Sequence, residues 1–169
     1  MNGIRIGLLS DTHGFCNDDI LHYLEACDEI WHAGDIGENE VLEKLSGNKP
    51  LRVVFGNIDT IIKQKTLSED LIFELEGLRI LITHIAGNPP AYNKRVKGLI
   101  RQHKPNILVC GHSHILKFGW DKENTLWYIN PGAAGKHGFH TMRTLLRFTL
   151  YQGKIENAEV IELGKRGAL

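Results

Sequence analysis

The chain reads as an α/β protein with two mixed β-sheets packed face to face and helices on the outer sides, a four-layer α/β/β/α sandwich. Three observations predict this. Short apolar runs alternate with amphipathic stretches over the first third, a βαβαβ rhythm that calls for parallel strands with helical crossovers. The back half is mostly strands, with two-residue hairpin signals at Glu76-Gly77 and Gln152-Gly153. A length of 169 residues suits a single domain, 1-169, and no linker, repeat or low-complexity segment divides it. A domain of this size buries about two-thirds of its unfolded surface, so folding alone needs neither a disulfide nor a metal.

The elements follow in order. Ile4–Ser10 is nearly continuous Ile and Leu and reads as a buried strand. Asp18–Ala26 places Ile20, Leu21 and Leu24 at helical spacing behind the cap residue Asn17. Glu29–His32 is a second strand, Asn39–Leu45 a second helix ended by Gly47, and Leu51–Phe55 a third strand. Asp70–Leu75 and Leu78–Thr83 flank the first hairpin signal. Tyr92–His103 gathers Val96, Leu99 and Ile100 on one helical face, and Pro105 marks its end. Strands are then expected at Ile107–Cys110, Leu116–Trp120, Leu126–Asn130, Thr144–Tyr151 and Ile155–Ile161.

Composition excludes several classes. Twenty basic residues balance twenty acidic ones, so the broad positive field of a non-specific nucleic-acid binder is missing. No run approaches the roughly 20 apolar residues of a membrane span, and the first apolar stretch meets Asp11 too soon for a secretion signal. Cys16, Cys27 and Cys110 are odd in number and form no CxxC pair, which points to a reducing, cytoplasmic compartment. Cys110, in the run ILVC, reads as a buried thiol. Trp31, Trp120 and Trp127 lie in strand-like runs and read as core or sheet-face residues. Nine histidines exceed what a core of this size needs and direct attention to ligand chemistry.

The polar residues that break the core pattern stand at strand ends. The first strand runs into Asp11-Thr12-His13, the second into Gly34-Asp35, the third into Gly56-Asn57. The second hairpin strand ends at Thr83-His84, and the strand after the third helix at Gly111-His112-Ser113-His114. Singly, each is ordinary: Asp35 fits a helix cap, Asn57 a tight turn, His84 a hydrogen-bonded core histidine. His112 and His114 are alternate residues, which on an extended segment point the same way. Together, five strand ends deliver two carboxylates, one amide and four imidazoles to the carboxyl edge where α/β sheets bind ligands. Seven such donors suit two divalent ions, with Mn expected and Ni, Zn or Fe as alternatives. Two such ions clamp the attacking and leaving oxygens of an in-line displacement and lower the pKa of a water they share. That is phosphoester hydrolysis chemistry.

The ordered series Asp11-x-His13, Gly34-Asp35, Gly56-Asn57-x-Asp59, His84, Gly111-His112-x-His114 and Asn130-Pro131-Gly132 resembles the calcineurin-like metallophosphoesterases, from Ile6 to about Gly132. Its brevity is similar to the small bacterial and archaeal phosphodiesterase branch, which also contains the retromer scaffold subunit. The resemblance implies that Asp11, His13 and His114 hold one ion, that Asn57, His84 and His112 hold the other, and that Asp35 bridges both. It also implies that Asp35, Asn57 and His84 serve catalysis through a metal-held hydroxide. Asp59 reads as a turn or supporting residue. Two positions depart from the family's pattern. Where many members place a leaving-group proton donor after the asparagine, this chain has Ile58, and Ile85 stands where glycine often follows the histidine. The loop Ile85–Tyr92, with Pro89-Pro90, is therefore expected to shape the pocket differently. Lys136, His137, His140 and Arg143 read either as a solvated loop or as a positive rim that contacts substrate phosphate.

The function expected from the residues and the resemblance is hydrolysis of small organic phosphodiesters by a dinuclear metal site in a cytoplasmic enzyme. A small-molecule phosphoester is the expected partner, nucleic acid and membrane are not, and the resemblance suggests a homodimer. The alternative is a retromer-subunit-like scaffold with a vestigial metal site. All seven donor types survive, which favours the enzyme.

Overall fold

The apolar run Ile4–Leu9 forms β1, the central strand of a five-stranded sheet. The structure, a computed structural model, describes residues 3–47 and 49–167. After β1 come α1 (Asp18–Leu24), β2 (Glu29–His32), α2 (Asn39–Ser46), β3 (Leu51–Val53), α3 (Ile61–Thr66), β4 (Asp70–Leu75) and β5 (Leu78–Thr83). The short strands β6 (Gly87–Asn88) and β7 (Ala91–Tyr92) lead into α4 (Lys94–His103). The chain closes with β8 (Ile107–Val109), β9 (Leu116–Asp121), β10 (Leu126–Pro131), β11 (Met142–Tyr151) and β12 (Lys154–Lys165).

The first sheet has the order β12-β11-β1-β2-β3, and the second β4-β5-β8-β10-β9. The expected βαβαβ unit gives β1, β2 and β3 in parallel. The second sheet is mixed, with β5, β8 and β10 parallel and β4 and β9 antiparallel at its edges. Both hairpin signals hold: Glu76 and Gly77 have φ of 50° and 77°, and Gln152 and Gly153 of 47° and 78°, the positive pair that a tight two-residue turn requires.

Alternation along each strand builds three apolar layers. Ile6 and Leu8 face inward with Trp31 and Phe148, meeting Ile80, Ile82, Ile107 and Val109 of the other sheet. Leu9, Ile30 and Leu145 face outward and receive Ile20 and Leu24 of α1 and Val41 and Leu45 of α2. On the far side, Leu81, Leu108 and Tyr128 receive Val96 and Ile100 of α4. The four-layer α/β/β/α sandwich is therefore observed. Fully burying each large aliphatic or Phe side chain contributes about 1.5–3 kcal/mol. Asn17 caps α1 by accepting from the Ile20 amide (3.4 Å), and Asn93 caps α4 by accepting from the Val96 amide (2.9 Å). Lys104, left-handed at φ 47°, ends α4 just before Pro105.

Two elements differ from expectation. Tyr92 lies in the β6–β7 hairpin, so α4 begins only at Lys94. The stretch after Asn57 forms α3, whose two isoleucines point into solvent and so show no buried helical face to a reader of the sequence. Trp31 is buried as expected, whereas Trp120 is half-exposed and meets Trp127 edge to face at 5.4 Å. Cys16, Cys27 and Cys110 are free and buried. Burial pushes the Cys110 thiol up to about 12, so it is inert.

Candidate metal centre

The carboxyl ends of β1, β2, β3, β5 and β8 open at one edge of the sandwich. The loops that leave them are tied to one another through their backbones. The Asp11 amide donates to the Gly34 carbonyl (2.9 Å), the His13 amide to the Asp35 carbonyl (3.0 Å), and the Gly111 amide to the His84 carbonyl (3.0 Å). Two groups of ligand atoms result, each within 4.8 Å of one another: Asp11, His13 and His114, and Asp35, His84 and His112. Asp11 Oδ1 stands 3.1 Å from His114 Nε2, and Asp35 Oδ1 stands 3.1 Å from His84 Nε2. Asn57 joins the second group, its Oδ1 lying 3.2 Å from His84 Nε2. The other oxygen of Asp35 is 3.7 Å from His13 Nε2, so one carboxylate faces both groups. Each group draws from both sheets, since β1, β2 and β3 belong to one and β5 and β8 to the other.

Five of the seven expected ligands hold left-handed backbone: Asp11 (φ 53°), His13 (46°), Asp35 (54°), His112 (67°) and His114 (58°). Outside glycine this conformation is uncommon and costs about 1 kcal/mol or more, and it clusters where function over-determines the backbone. It also corrects the reading of His112 and His114 as one face of an extended segment. Both residues turn left-handed around Ser113, so their imidazoles part and enter different groups. Nor does Asp35 cap α2, whose N-cap is Glu38.

The donor set fits divalent cations. His84 Nδ1–H donates to the Ala33 carbonyl (2.7 Å), which leaves Nε2 as a lone pair facing the Asp35 and Asn57 oxygens. Three acceptors then converge with no proton between them unless His84 itself becomes cationic. Burial disfavours that cation, but the Asp35 hydrogen bond and the Asp11 and Asp35 charges outweigh burial and raise the His84 pKa. Burial likewise pushes Asp35 up, and the His84 hydrogen bond and charge win, holding it below the usual carboxylate value. In the other group, burial pushes His13 down against the pull of Asp35 and Asp11. Asp11 Oδ1 and His13 Nε2 are buried without a hydrogen-bond partner, a costly state that a cation would relieve. His140 Nε2–H donates to the Gly135 carbonyl (3.0 Å), so its Nδ1 accepts from His114 Nδ1–H (3.3 Å). His114 thereby presents a bare Nε2 to Asp11 and His13, the orienting role that a supporting hydrogen bond gives a ligand imidazole.

Residues outside the ligand set hold these loops in place. The Asp59 carboxylate accepts from the amides of Ile36 (3.0 Å), Gly37 (3.0 Å) and Gly56 (2.7 Å), binding the Asp35 loop to the Asn57 loop. That is the supporting role expected of it. Asn130 donates to the Gly111 carbonyl (2.8 Å) and to Ser113 Oγ (3.1 Å), bracing the His112–His114 loop. Gly56 and Gly111 are close-approach glycines: a Cβ at the first would fall 2.0 Å from Asp35 Oδ1, and one at the second 2.0 Å from Ser10 Oγ.

His32, read only as a strand residue, is fully buried behind the site. It accepts at Nδ1 from the Gly34 amide (3.2 Å) and donates from Nε2 to Thr12 Oγ1 (2.9 Å), which donates on to the Ile36 carbonyl (2.9 Å). Burial holds its pKa down to about 4, from 6.5. Between those values the unfolded chain takes up a proton that the folded chain refuses. The stabilisation from neutral His32 is complete above pH 6.5 and is lost as pH falls toward 4. At about 1.4 kcal/mol per pH unit, that loss is about 3 kcal/mol. Urea unfolding of chelator-treated protein across this window should therefore show a shallower acid limb for His32→Gln than for the wild type. Equal slopes would assign the acid limb to other groups.

The loop after β10 divides. Arg143 is buried, donates to the Leu163 carbonyl (2.9 Å) and lies over the Phe15 ring, so it is structural and leaves the rim. Lys136 Nζ also lies over Phe15, 4.8 Å from the ring centroid. His137 is exposed, with its ring 4.9 Å from that of His13, and it lines a cavity with Ile58, Thr60, Gly37 and Glu38. Ile58 is half-exposed, and its amide donates to Asp35 Oδ1 (3.1 Å).

Known proteins share this fold. Residues 4–153 match the calcineurin-like phosphoesterase superfamily domain. A protein of Methanothermobacter thermautotrophicus described as a "Probable metallophosphoesterase" is 26% identical over 133 residues, 76% of each chain. Among solved structures, a novel archaeal phosphodiesterase superposes with a TM-score of 0.74 at 19% identity, over 95% of this chain and 100% of that one. Wild-type Vps29 from Entamoeba histolytica, complexed with zinc, superposes at 0.67 with 17% identity over 94% and 99%. At these identities the two structures speak to the fold. No helix among the described residues is long and apolar enough to cross a membrane.

Proposed function

This chain belongs to the calcineurin-like phosphoesterase superfamily, and from that premise we propose that it hydrolyses small organic phosphodiesters with two divalent ions, Mn foremost. Asp11, His13 and His114 would hold one ion, Asn57, His84 and His112 the other, and Asp35 both. The observation that carries this reading is the pair of donor groups joined by one carboxylate, with Asp11 Oδ1 and His13 Nε2 buried and unpartnered. When bound, such ions supply Lewis acidity and a water acidic enough to act as nucleophile near neutral pH. The chain's own residues do the rest. Asp35 sets the spacing of the two groups, His84 is aimed by its bond to Ala33, and His114 by His140. Asp11 and Asp35 offset half the charge of two divalent ions, leaving a positive site suited to a monoanionic diester and an attacking oxygen anion. The water oxygen bonds to phosphorus and the bond to the leaving oxygen breaks. Ile58 offers that oxygen no proton, so water or another group must supply it. Three buried, free thiols support a reducing, cytoplasmic setting.

The reading is tested on metal-stripped protein reconstituted with Mn, Ni, Zn, Fe or Mg and offered a panel of phosphoesters. Turnover of activated diesters, restored best by Mn, is expected. Metal uptake alone does not separate an enzyme from a scaffold, whereas turnover does. Metal binding with no turnover of any ester would favour the scaffold.

His112 and His114 provide a finer check. His114→Ala should empty the Asp11–His13 position and His112→Ala the Asp35–His84 position, each lowering affinity at its own site by at least about tenfold to a hundredfold. Anomalous scattering from crystals of each variant identifies the ion lost. Loss of the same ion from both would refute the division.

A further inference from the structure

An isoleucine directly follows three of the proposed ligands. Ile58 directly follows Asn57, Ile85 follows His84, and Ile115 follows His114, and all three side chains are exposed. Of the three, Ile58 lines a cavity with the ligand His13, so its side chain borders the centre. Helix α3 starts at this cavity, since its cap residue Thr60 lines the wall together with Ile58. Its Ile61 and Ile62 are 70% and 75% exposed, while Lys63 beside them is buried. Packing alone would produce the reverse. The helix is nevertheless anchored, because Thr60 Oγ1 accepts from the Lys63 amide and Gln64 donates to the carbonyl of Asp59, the residue that clamps the site loops. Isolated exposed apolar residues need no explanation, but Ile58 in the cavity wall and two exposed isoleucines directly after Thr60 of the same wall do.

Charge points the same way. The cavity shared by Ile58, Thr60, His13 and His137 carries the acidic Glu38 in its wall and no arginine or lysine. Arg143 is committed to Leu163, and Lys136 lies over Phe15. An anionic group beyond the scissile phosphate would meet Glu38, whereas an uncharged apolar group would meet isoleucine.

We propose that the substrates of this site are phosphodiesters with an uncharged apolar arm, alkyl or aryl, that lies on Ile58, Ile61 and Ile62. Arms bearing a second phosphate are disfavoured by Glu38. The proposal rests on the phosphodiesterase reading above and names the substrate class of that same site. The arm is equally that of a dissolved ester or of a lipid.

The test uses 4-nitrophenyl phosphodiesters whose second arm is methyl, butyl, octyl or 2-phosphoethyl, on Mn-reconstituted full-length protein, so that the leaving group stays constant. For the wild type, kcat/KM should rise by about twofold per added methylene, half the free energy of full burial. The double variant Ile61→Ser/Ile62→Ser should flatten that rise, and both isoleucines are exposed enough for the fold to tolerate it. The 2-phosphoethyl ester should react more slowly than the butyl ester, and Glu38→Gln should narrow the gap. A hexadecyl ester held in phosphatidylcholine vesicles separates the sources: turnover there supports a lipid, and turnover confined to dissolved esters supports a soluble compound. Turnover that ignores arm length in the wild type overturns this proposal alone. A flat series together with a wild-type dimer that the double variant dissociates overturns it in favour of self-association. Absence of turnover for every ester and metal removes the phosphodiesterase reading, and this proposal with it.

Discussion

Asp35→Ala is expected to abolish turnover and to strip metal from both positions at once. Asp35 is almost fully buried, with Oδ1 3.1 Å from His84 Nε2 and Oδ2 3.7 Å from His13 Nε2. Its two oxygens thus face the two groups of ligand atoms. Its removal halves the anionic donors, from Asp11 and Asp35 to Asp11 alone, and frees the two positions from a common anchor. A fall in turnover of about a thousandfold or more is expected, the upper end of what one preorganised electrostatic group supplies. The fold should persist, because the residue lies in a loop held by other bonds, among them the His13 amide to its carbonyl (3.0 Å). Alanine is strained at φ 54°, so Asp35→Asn, which tolerates that backbone and keeps the volume, serves as the control. Elemental analysis and circular dichroism decide the matter. Two ions per chain with normal turnover would sink the bridging role.

The second large effect lies in the dependence of rate on the leaving group. Without a donor at position 58, the leaving oxygen departs with much of its negative charge. Aryl diesters with acidic phenols should then react far faster than simple alkyl diesters, and the logarithm of the rate should fall steeply with leaving-group pKa. Ile58→His should flatten that plot, since the Ile58 amide lies 3.1 Å from Asp35 Oδ1 and its side chain stands at the mouth. The gain for poor leaving groups is what general acid catalysis supplies, about a hundredfold to ten-thousandfold. A flat plot for the wild type, with chemistry rate-limiting, would mean that a donor already exists. His13 and His140 have their nitrogens turned to the donor group and to Gly135 and His114, so His137, which lines the cavity with Ile58, would be the residue to replace next.

The sandwich and its ligand edge were legible because each buried strand is a short apolar run that stops abruptly at a polar residue. Ile4–Leu9 ending before Asp11, and Ile107–Val109 ending before His112, show both the layer and the edge in one line of sequence. What stayed hidden depends on contacts between distant residues. His32 reads like any strand residue until Gly34 and Thr12 are brought to its two nitrogens. Asp59 reads as a turn or supporting residue, but which loops it joins shows only when three amides from two loops converge on it. Helix α3 escaped because its apolar residues face solvent, which inverts the periodicity that identifies helices. The division of His112 from His114 came from the family resemblance alone, and its physical basis, two positive φ angles, is not revealed by side-chain type.

The sharing of each donor group between the two sheets has a mechanical consequence. Apolar contact between sheets is non-directional, so on its own it lets one layer slide or peel from the other. On the proposed metal reading, an ion seated on Asp11 and His13 from one sheet and His114 from the other would act as a rivet through the sandwich, and a second at Asp35, His84 and His112 would prevent rotation about the first. Bound only by the folded chain, such rivets would add free energy as the logarithm of metal concentration over the dissociation constant, about 2.7 kcal/mol per site at a hundredfold excess. Resistance to forced separation of the layers would then be set by metal supply, and the catalytic edge of the molecule would also be its strongest seam.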